Sequence, residues 1–520
     1  MDQNPVTKVL IAGAGPTGLV LALWLTRLGV SVRIIDKTAG AAAFSRALGV
    51  QARTLEFYRQ VGIADTAVAS GVQVQGVNFW ARGTKAAHVP LHDLGIGLTP
   101  FPFLLDFAQD AHERLLIDHL ETLGLKVERK TELIRFEQQP GGVRATLKRP
   151  DGSEEICQPA YLAGCDGASS IVRETIGAGF PGGTYSHLFY VADVEASGRV
   201  VDDEVHVDLD KTDLLAVFPM KGTGHLRLVG LIGEHPGRGD HELTFADVSD
   251  RAIGQLKLTV TKVNWFSTYR VHHRVAQSFR KDRAFLLGDA AHIHSPVGGQ
   301  GMNTGIGDAI NLAWKLAAVL SGRVPEKILD SYELERIVFA RQLVATTDRM
   351  FTLATQPGFI AAQARTKLFP FLLPILLRIA AARRFIFPTI SQIGLSYRAS
   401  PLSAGVAGTI HGGDRLPWIQ MPSGENGPAD NFVPLTSLAW QVHVYGEPRG
   451  GIAEACAALA LPIHVFPWTA ATDRAGVMRS ATYLIRPDGY VALADPNGDP
   501  EQLRSYLKQL DSAVSPARGP

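Results

Sequence analysis

The sequence has little of what marks a disulfide-bonded, metal-binding or nucleic-acid-binding protein. Only three of its 520 residues are cysteines, Cys157, Cys165 and Cys456, and their spacing fits neither a disulfide framework nor a zinc site. Lys and Arg number 51 and Asp and Glu 50, so the net charge of +1 provides no basic surface for nucleic acid. We therefore expect no metal site, no nucleic-acid partner and a reducing, cytoplasmic location.

Long hydrophobic runs are also missing. Residues 1–15 have no basic region and no cleavage site, so we expect no secretory signal peptide. The most apolar run, residues 368–382, is interrupted by Pro370, Pro374 and Arg378 and is too short to span a bilayer. We predict buried or interface helices there and no stable membrane insertion. The alternative is a membrane-surface patch that admits apolar substrates.

The size and composition are those of a globular protein with several domains. Hydrophobic residues make up 46% and charged residues 19% of the chain, which excludes a disordered protein. A chain of 520 residues exceeds what one hydrophobic core supports, so we expect two or three domains.

The first 36 residues follow the order strand, glycine-rich loop, helix, strand, acid. Residues 6–12 form a short apolar run typical of a buried parallel strand, residues 13–18 read Gly-Ala-Gly-Pro-Thr-Gly, and residues 30–36 form a second run that ends on Asp36. The glycines permit a tight turn and a close approach of a pyrophosphate to the helix N-terminus, and Asp36 can accept a hydrogen bond from a ribose hydroxyl. This pattern predicts a dinucleotide site, although the motif alone does not separate FAD from NAD.

A second glycine-rich stretch lies at residues 285–317. An apolar strand runs into Gly288 and Asp289, a loop that contains five glycines follows, and we predict a helix over residues 308–320. So many glycines in one loop indicate a backbone that must approach a ligand closely.

Two other kinds of segment surround these loops. Residues 71–83 and 186–233 alternate apolar and polar side chains, which predicts antiparallel sheet inserted into the dinucleotide-binding unit. The pattern of residues 107–124 predicts an amphipathic helix, and that of residues 161–177 predicts a strand-to-helix turn. After residue 400 the pattern predicts a small α/β domain of thioredoxin-like order, and because it lacks a Cys-x-x-Cys motif we expect no redox role for it.

Three separated motifs occur in order: Gly13–Gly18, Cys165-Asp166-Gly167 before a helix that ends near Arg173, and Gly288-Asp289-Ala290-Ala291-His292 with Pro296. Together they resemble the class A (single-component) FAD-dependent aromatic hydroxylases of the p-hydroxybenzoate and phenol hydroxylase type, over roughly residues 5–395. The tail resembles the thioredoxin-like C-terminal domain of the phenol hydroxylase branch. The resemblance implies an α/β fold with a Rossmann-like FAD-binding domain interleaved with a β-sheet substrate domain, a helical segment and a C-terminal thioredoxin-like α/β domain.

The implied domain bounds follow from this arrangement. The FAD-binding domain would take residues 1–72, 107–180 and 276–398, the last with the helical region. The substrate sheet would take residues 73–106 and 181–275, and the thioredoxin-like domain residues 399–520. A homodimer is a further expectation, with the C-terminal domain either on the main body or at the dimer interface.

The resemblance also implies the cofactor contacts. The first motif would hold the FAD pyrophosphate, Asp289 a ribityl hydroxyl, and residues 298–303 would place backbone N–H groups against the N1–C2=O edge of the flavin. Arg46 would reach the FAD phosphates, with Arg53 as a rival. The complete set of implied FAD-binding residues is Gly13, Gly15, Pro16, Thr17, Gly18, Asp36, Lys37, Arg46, Gln109, Asp166, Gly288, Asp289, Pro296, Gly299, Gly301, Met302 and Asn303.

Further residues are candidates for NAD(P)H and substrate. Asp166, Arg173 and Arg274 are the NAD(P)H candidates, although Asp166 and Asp289 could be helix N-caps and Arg274 part of a solvated basic turn. A phenol reacts better as its phenolate, so we expect a base near the substrate. The candidates for that base are Tyr185, His187, Tyr190 and Tyr269, and the candidates for an apolar pocket are Phe79, Trp80, Phe218 and Met220; Pro296 would lie near the flavin ring.

The implied reaction is hydroxylation of a phenolic or other electron-rich aromatic substrate with NADPH or NADH and O2 through a flavin C4a-hydroperoxide. The alternatives are a Baeyer–Villiger or antibiotic-modifying monooxygenase that acts on a non-phenolic compound and an FAD-dependent polyprenyl reductase. A non-catalytic dinucleotide-binding module is a third alternative, which the complete glycine-rich loop and Asp166 argue against.

Overall fold

A computed structural model describes residues 7–41, 47–91, 94–209, 214–232, 242–295, 299–355, 386–422 and 429–512. Arg46, Pro296 and the apolar run 368–382, which the sequence singles out, lie outside these ranges. In the described part of the chain, no helix is long and apolar enough to cross a membrane.

The described residues form 26 strands and eleven helices. The strands are β1 Val9–Ala12, β2 Val32–Asp36, β3 Gly49–Val50, β4 Val72–Val74, β5 Gly76–Ala81, β6 Thr84–Pro90, β7 Leu104–Asp106, β8 Glu128–Arg129, β9 Glu132–Gln139, β10 Gly142–Lys148, β11 Glu154–Cys157, β12 Tyr161–Gly164, β13 Gly182–Gly198, β14 Val205–Leu209, β15 Leu214–Pro219, β16 His225–Ile232, β17 Leu258–Val275, β18 Arg280–Lys281, β19 Ala284–Leu286, β20 His292–Ile293, β21 Ala404–Ala407, β22 Ile410–His411, β23 Gln441–Tyr445, β24 Ile463–Phe466, β25 Thr482–Ile485 and β26 Val491–Asp495. The helices are α1 Pro16–Arg27, α2 Ala52–Gln60, α3 Ala64–Ser70, α4 Gln109–Thr122, α5 Ile171–Ile176, α6 Asp250–Gln255, α7 Gly301–Leu320, α8 Asp330–Thr355, α9 Ile452–Ala458, α10 Ala470–Arg474 and α11 Pro500–Ser512.

A six-stranded sheet in the order β18-β19-β12-β1-β2-β8 forms the centre of the first domain, and we call it the cofactor sheet. All of its neighbouring strands are parallel except β18 and β19. Strands β1 and β12 are completely buried, as parallel strands are when both faces of the sheet are covered. The three motifs follow β1, β12 and β19, so they meet at one edge of this sheet.

The eight-stranded substrate sheet has the order β20-β17-β13-β16-β15-β14-β5-β6. Its strands are antiparallel to their neighbours except for β14 and β5. One face packs on a core that includes Leu188, Ala192 and Leu228, together with residues of α6. Two three-stranded sheets, β3-β7-β4 and β11-β10-β9, complete the main body.

The C-terminal sheet has the order β22-β21-β26-β25-β23-β24. Strand β23 is parallel to β24 and antiparallel to β25, which is antiparallel to β26. With α9 between β23 and β24 and α11 after β26, this is the thioredoxin-like order. The domain packs on the main body, where the Arg486 side chain binds Glu335 of α8 at 2.8 and 3.0 Å.

Helix α7 begins earlier than the sequence predicts. It starts at Gly301 instead of residue 308, so several glycines that we assigned to a loop form its first two turns. Glycine is a poor helix former, but close packing overrides this preference. A Cβ on Gly305 would overlap Thr17 Oγ1 and would lie 3.1 Å from the Gly288 Cα atom. The glycines therefore bring this helix against the first and third motifs.

Candidate functional site

The first motif forms a turn that only glycine fits. Gly13 has a φ of +102°, and a Cβ there would overlap the carbonyl oxygen of Cys165 in the second motif. A Cβ on Gly18 would overlap the carbonyl oxygen of Gly13. By contrast, no atom lies within 4 Å of the Cβ position of Gly15. Gly13 and Gly18 thus close the turn, and Gly15 leaves space for a phosphate where α1 begins, with Pro16 in its first turn.

Asp36 lies beside this turn and orients it. Its carboxylate accepts a hydrogen bond from the backbone N–H of Ala14 at 2.7 Å and two from Thr38 at 2.7 and 2.6 Å. The Arg129 guanidinium is 3.8 Å from it, and Lys37 is exposed. An acid that holds the loop at the end of β2 is in place for the ribose contact that the resemblance implies.

The second motif joins the third through an arginine. Asp166 accepts the backbone N–H of Val172 at 3.2 Å, and burial raises its pKa. Arg173 donates to the carbonyl oxygens of Ala168 at 2.7 Å and of Ala290 at 3.1 Å, and it lies over the Phe180 ring at 4.0 Å. Burial lowers the pKa of Arg173, and the positive charge of Arg274 lowers it further. The structure therefore brings all three NAD(P)H candidates together.

Asp289 is exposed on a short 3-10 turn, Gly288–Ala290, whose other two residues are buried. The turn is held from behind by Asp308, which accepts the Gly288 N–H at 3.0 Å and the His292 Nε2–H at 2.7 Å. His292 is therefore a buried structural residue. An exposed acid on an otherwise buried turn is in place to contact a ligand hydroxyl, as the resemblance implies for Asp289.

Residues 299–303, which we call the glycine segment, lead into α7. Gly299 has a φ of +62°, and Gly301, Met302 and Asn303 are the first residues of the helix. The first N–H groups of a helix have no partner within it, so they can face an anion. The Asn303 side chain fixes the segment because it donates to the Gly49 carbonyl at 2.9 Å and accepts the Gln51 N–H at 2.9 Å.

Two further candidates are engaged within the protein. Gln109 begins α4 and donates to Glu113 at 2.8 Å. Arg53, the rival of Arg46 for the FAD phosphates, is buried and donates to Glu56 at 2.8 Å and to the Asp488 carbonyl at 2.7 Å. It links the main body to the C-terminal domain.

One face of the substrate sheet is turned toward the cofactor sheet. On it Arg227 binds Asp193 through two bonds of 2.7 Å and donates a third to the Ala47 carbonyl at 3.0 Å. The rings of Phe189 and Tyr269 face each other at 5.9 Å. The half-buried apolar residues that the strand pairing places on this face are Phe79, Val207, Leu214, Ala216, Phe218, Val229 and Leu231.

The candidate bases are not equivalent. Tyr190 is 1% exposed on the opposite face, where its ring stacks on Phe266, so it does not face the cofactor sheet. The Tyr185 hydroxyl binds Asp348 of α8, and burial together with this contact raises its pKa. His187 is half-buried where the register of β13 with β17 shifts. Tyr269 is the candidate on the inward face.

Trp80 and Phe218, two of the candidates for an apolar pocket, lie on opposite faces of the substrate sheet. Trp80 is 2% exposed and donates to His206 Nδ1 at 3.0 Å in the core behind the sheet, so it does not line a pocket toward the cofactor sheet. Phe218 lies on the inward face. Successive side chains of a strand point to opposite faces, and the sequence alone does not show which face is inward.

Asp106 is a buried acid that sequence reasoning missed. It ends β7, is 2% exposed, and neither carboxyl oxygen has a hydrogen-bond partner among the described residues. Burial raises its pKa well above the usual range despite the charge of Arg227. The signal was available, because an acid stood between apolar neighbours in residues 103–107.

These residues fit both the pyrophosphate part and the flavin part of FAD. The space at Gly15 beside a helix N-terminus suits a pyrophosphate, and exposed Asp289 and the start of α7 suit the ribityl chain and an anionic ring edge. Within the described ranges, no group of three or more His, Cys, Asp or Glu side chains could hold a metal ion.

The comparisons with known proteins agree with this geometry. Residues 6–347 match a family model described as an FAD binding domain. The chain is 32% identical to the 6-methylpretetramide 4-monooxygenase of Streptomyces rimosus over 97% of this chain and 93% of that protein, and 33% identical to the pentachlorophenol 4-monooxygenase of Sphingobium chlorophenolicum over 68% and 66%. Its structure is similar to that of the anhydrotetracycline hydroxylase OxyS from Streptomyces rimosus, with a TM-score of 0.77, 28% identity and coverage of 98% and 99%.

The predicted fold class, FAD cofactor and enzyme class are confirmed by these matches. The matched residues 6–347 contain all three motifs and both residues of the Arg227–Asp193 ion pair. The chain belongs to the family of FAD-dependent aromatic hydroxylases and monooxygenases.

Proposed function

We propose that the protein hydroxylates a multi-ring phenolic or other electron-rich aromatic compound, with NADPH or NADH as electron donor and O2 as oxygen source. The observation that carries the substrate class is the broad, half-buried apolar face of the substrate sheet, which spans strands β5, β14, β15 and β16. Arg227 on this face donates to the Ala47 carbonyl, two residues before the Gly49 that lies against Gly299 of the glycine segment. Such a face suits flat rings. The names of relatives that match nearly the whole chain, with 6-methylpretetramide and anhydrotetracycline as substrates, support this choice.

When bound, FAD supplies electron transfer from NAD(P)H and the activation of O2. The chain supplies binding, orientation and charge. The turn at Gly13–Gly18 and the N-terminus of α1 would bind the pyrophosphate, Asp36 would bind the adenosine ribose, and Asp289 would bind a ribityl hydroxyl. The N–H groups at the start of α7 would stabilise negative charge on the bound flavin.

The arginines of the second motif and of β17 bind the electron donor. Arg173 and Arg274 place two positive charges near Asp166, and a phosphate group of NAD(P)H would offset their repulsion. Because Arg173 also bonds to Ala290, the donor site is one residue from Asp289. This proximity suits transfer between the two cofactors.

Tyr269 is the proposed group that orients or deprotonates the substrate hydroxyl, because it faces inward on β17, where its ring centroid lies 5.9 Å from that of Phe189. The apolar side chains around Tyr269, including Phe189 and Leu231, would exclude water from the substrate site. The homodimer stays a prediction, which size-exclusion chromatography with light scattering tests directly.

NADPH and NADH oxidation by the FAD-loaded protein tests the proposal across a panel of single-ring phenols, quinolones and polyketide-like aromatics. A compound that accelerates oxidation and gains the mass of one oxygen atom supports hydroxylation and identifies the substrate class. Faster oxidation that yields only H2O2 across the whole panel contradicts the proposed substrates. A protein that binds no FAD after reconstitution contradicts the cofactor site itself.

A further inference from the structure

An open groove of about 1020 Å³ lies beside β4, away from the cofactor motifs. Its lining combines residues 65–75, the segment 100–103 before β7 and the turn 220–223 between β15 and β16. The groove thus lies where the cofactor domain meets the substrate sheet. Its volume is at the upper end of the range for small-molecule sites, which is about 300–1,000 Å³.

The lining suits a neutral aromatic ligand that carries hydroxyl or carbonyl oxygens. Phe101 and Phe103 meet edge to face with ring centroids 6.3 Å apart, and Met220 adds a third apolar side chain. The Lys221 ammonium donates to the Ala69 carbonyl at 3.1 Å and has two further N–H groups for a ligand oxygen. Asp65 and Asp203 also line the groove, so its charges do not favour a polyanion.

Two strand pairs separate the groove from the glycine segment. Val72 of β4 lines the groove and pairs with Asp106 of β7, which pairs with Gly49 of β3. Neighbouring strands are about 4.8 Å apart, so β4 and β3 are separated by about 10 Å. The Gly49 Cα lies 4.0 Å from the Cβ position of Gly299 in the glycine segment. A ligand that reaches from the groove to this segment must be longer than one aromatic ring.

We propose that this groove binds the distal rings of a multi-ring aromatic substrate whose reacting ring lies at the glycine segment. The inference rests on the proposed function and deepens it, because the groove selects substrates by length. A single-ring phenol would occupy the reacting position alone and would make no contact with Phe103 or Lys221.

Gln73→Trp tests the inference. Gln73 is an exposed residue of the groove lining, so an indole there fills the groove without entering the core. Binding to the FAD-loaded protein is titrated directly, with anhydrotetracycline as the multi-ring probe and pentachlorophenol as the single-ring probe. We expect the Kd of the multi-ring probe to rise at least tenfold, with the Kd of the single-ring probe and the FAD content unchanged. Phe103→Ala should act in the same direction.

The control is Glu132→Trp, which adds an indole at an exposed position on β9 outside the groove and should change neither Kd. An unchanged Kd for the multi-ring probe in Gln73→Trp, equal changes for both probes, or no binding of the multi-ring probe to the unmodified protein would overturn the inference. NADPH oxidation in the same samples decides the proposed function separately, because the binding titration does not depend on turnover.

Discussion

The two arginines of the proposed NAD(P)H site differ in the number of hydrogen bonds that hold them in place. Arg173 makes two hydrogen bonds to backbone carbonyls, whereas the buried Nε of Arg274 has no hydrogen-bond partner among the described residues. Arg173 therefore has a structural role whether or not a ligand is bound. The described residues therefore fix Arg274 less firmly than Arg173.

Arg274→Gln should raise the KM for NAD(P)H about tenfold, equivalent to about 1.4 kcal/mol, and leave the FAD content unchanged. The cause is the loss of one charge-assisted bond to the donor phosphate. Steady-state kinetics and the flavin absorbance of the purified variant measure the two quantities. Arg135→Gln, at an arginine side chain that is 59% exposed on β9, is the control. An unaltered KM would exclude Arg274 from the donor site.

A second residue-scale feature is the buried pair of Tyr58 and His112, joined by a hydrogen bond between the Tyr58 hydroxyl and His112 Nε2. Burial lowers the pKa of His112 to about 3. An unfolded histidine has a pKa of about 6.5, so the unfolded chain binds more protons between pH 3 and 6.5, and stability falls as the pH falls through this window. From pH 7 to pH 5 the loss from this residue is about 2 kcal/mol.

His112→Gln should reduce the loss of unfolding free energy between pH 7 and pH 5 by about 2 kcal/mol, because glutamine does not titrate and can keep a bond to Tyr58. Urea unfolding at the two pH values measures the difference. His225→Gln, which replaces an imidazole whose side chain is 45% exposed, is the control. Equal pH dependence in the His112 variant and the unmodified protein would contradict the assignment.

Among the secondary-structure elements, α7 decides the geometry of the site. It packs on α1 where Thr17 lies between Gly288 and Gly305. Its first turn is fixed at Gly49 by the Asn303 side chain, and farther along it Trp314 donates to Asp488 of the C-terminal domain at 3.0 Å. The helix thus joins the first and third motifs to the tail.

Gly305→Ala should destabilise the protein by about 1–3 kcal/mol and weaken FAD binding, because the added methyl group overlaps Thr17 Oγ1 and forces α7 away from α1. Thermal unfolding and FAD retention on gel filtration measure both effects. Thr17→Ala in the same chain removes the nearest atom and should restore part of the loss. Gly254→Ala in α6, where no atom lies within 4 Å of the added Cβ, is the matched control. A stable Gly305→Ala protein with full FAD content would refute this account.

At the scale of the whole molecule, a buried charge cluster joins the C-terminal domain to the main body. Glu335 of α8 accepts bonds from Arg486, from Lys315 at 2.9 Å and from Ser400 at 2.6 Å. Both carboxylate and guanidinium are almost completely buried. A second contact joins Arg415 of the tail to Glu56 of α2. The tail is therefore packed on the main body through charges that water cannot screen.

Arg486→Met should reduce the free energy of unfolding by about 3–5 kcal/mol, because it leaves Glu335 and Asp488 buried with too little positive charge. Urea unfolding followed by tryptophan fluorescence measures the change. Arg135→Ala breaks an ion pair between exposed side chains, Arg135 and Glu154, and should have no measurable effect. If the two variants are equally stable, the cluster does not hold the domains together.

Much of the fold could be predicted because it depends on local signals. The turn at Gly13–Gly18, the acid at Asp36 and the alternation in residues 186–233 each reflect a backbone or periodicity requirement within a few residues. The start of α7 could not be predicted, since glycine disfavours a helix and the compensating contact with Thr17 joins residues far apart in the chain. The sequence also could not predict on which face of the substrate sheet Tyr190 and Trp80 lie, because alternation does not specify which face is inward.

The sequence by itself determined the cofactor motifs and, through the resemblance that these motifs carry, the family, because the motifs consist of glycines and acids that are read locally. Only the tertiary structure decided that Tyr269 and Phe218 face inward, that Asn303 binds the Gly49 carbonyl, and that the tail packs on Glu335. Each of these facts is a contact between segments distant along the chain. Such contacts depend on how sheets and helices pack in three dimensions, and no local pattern encodes them.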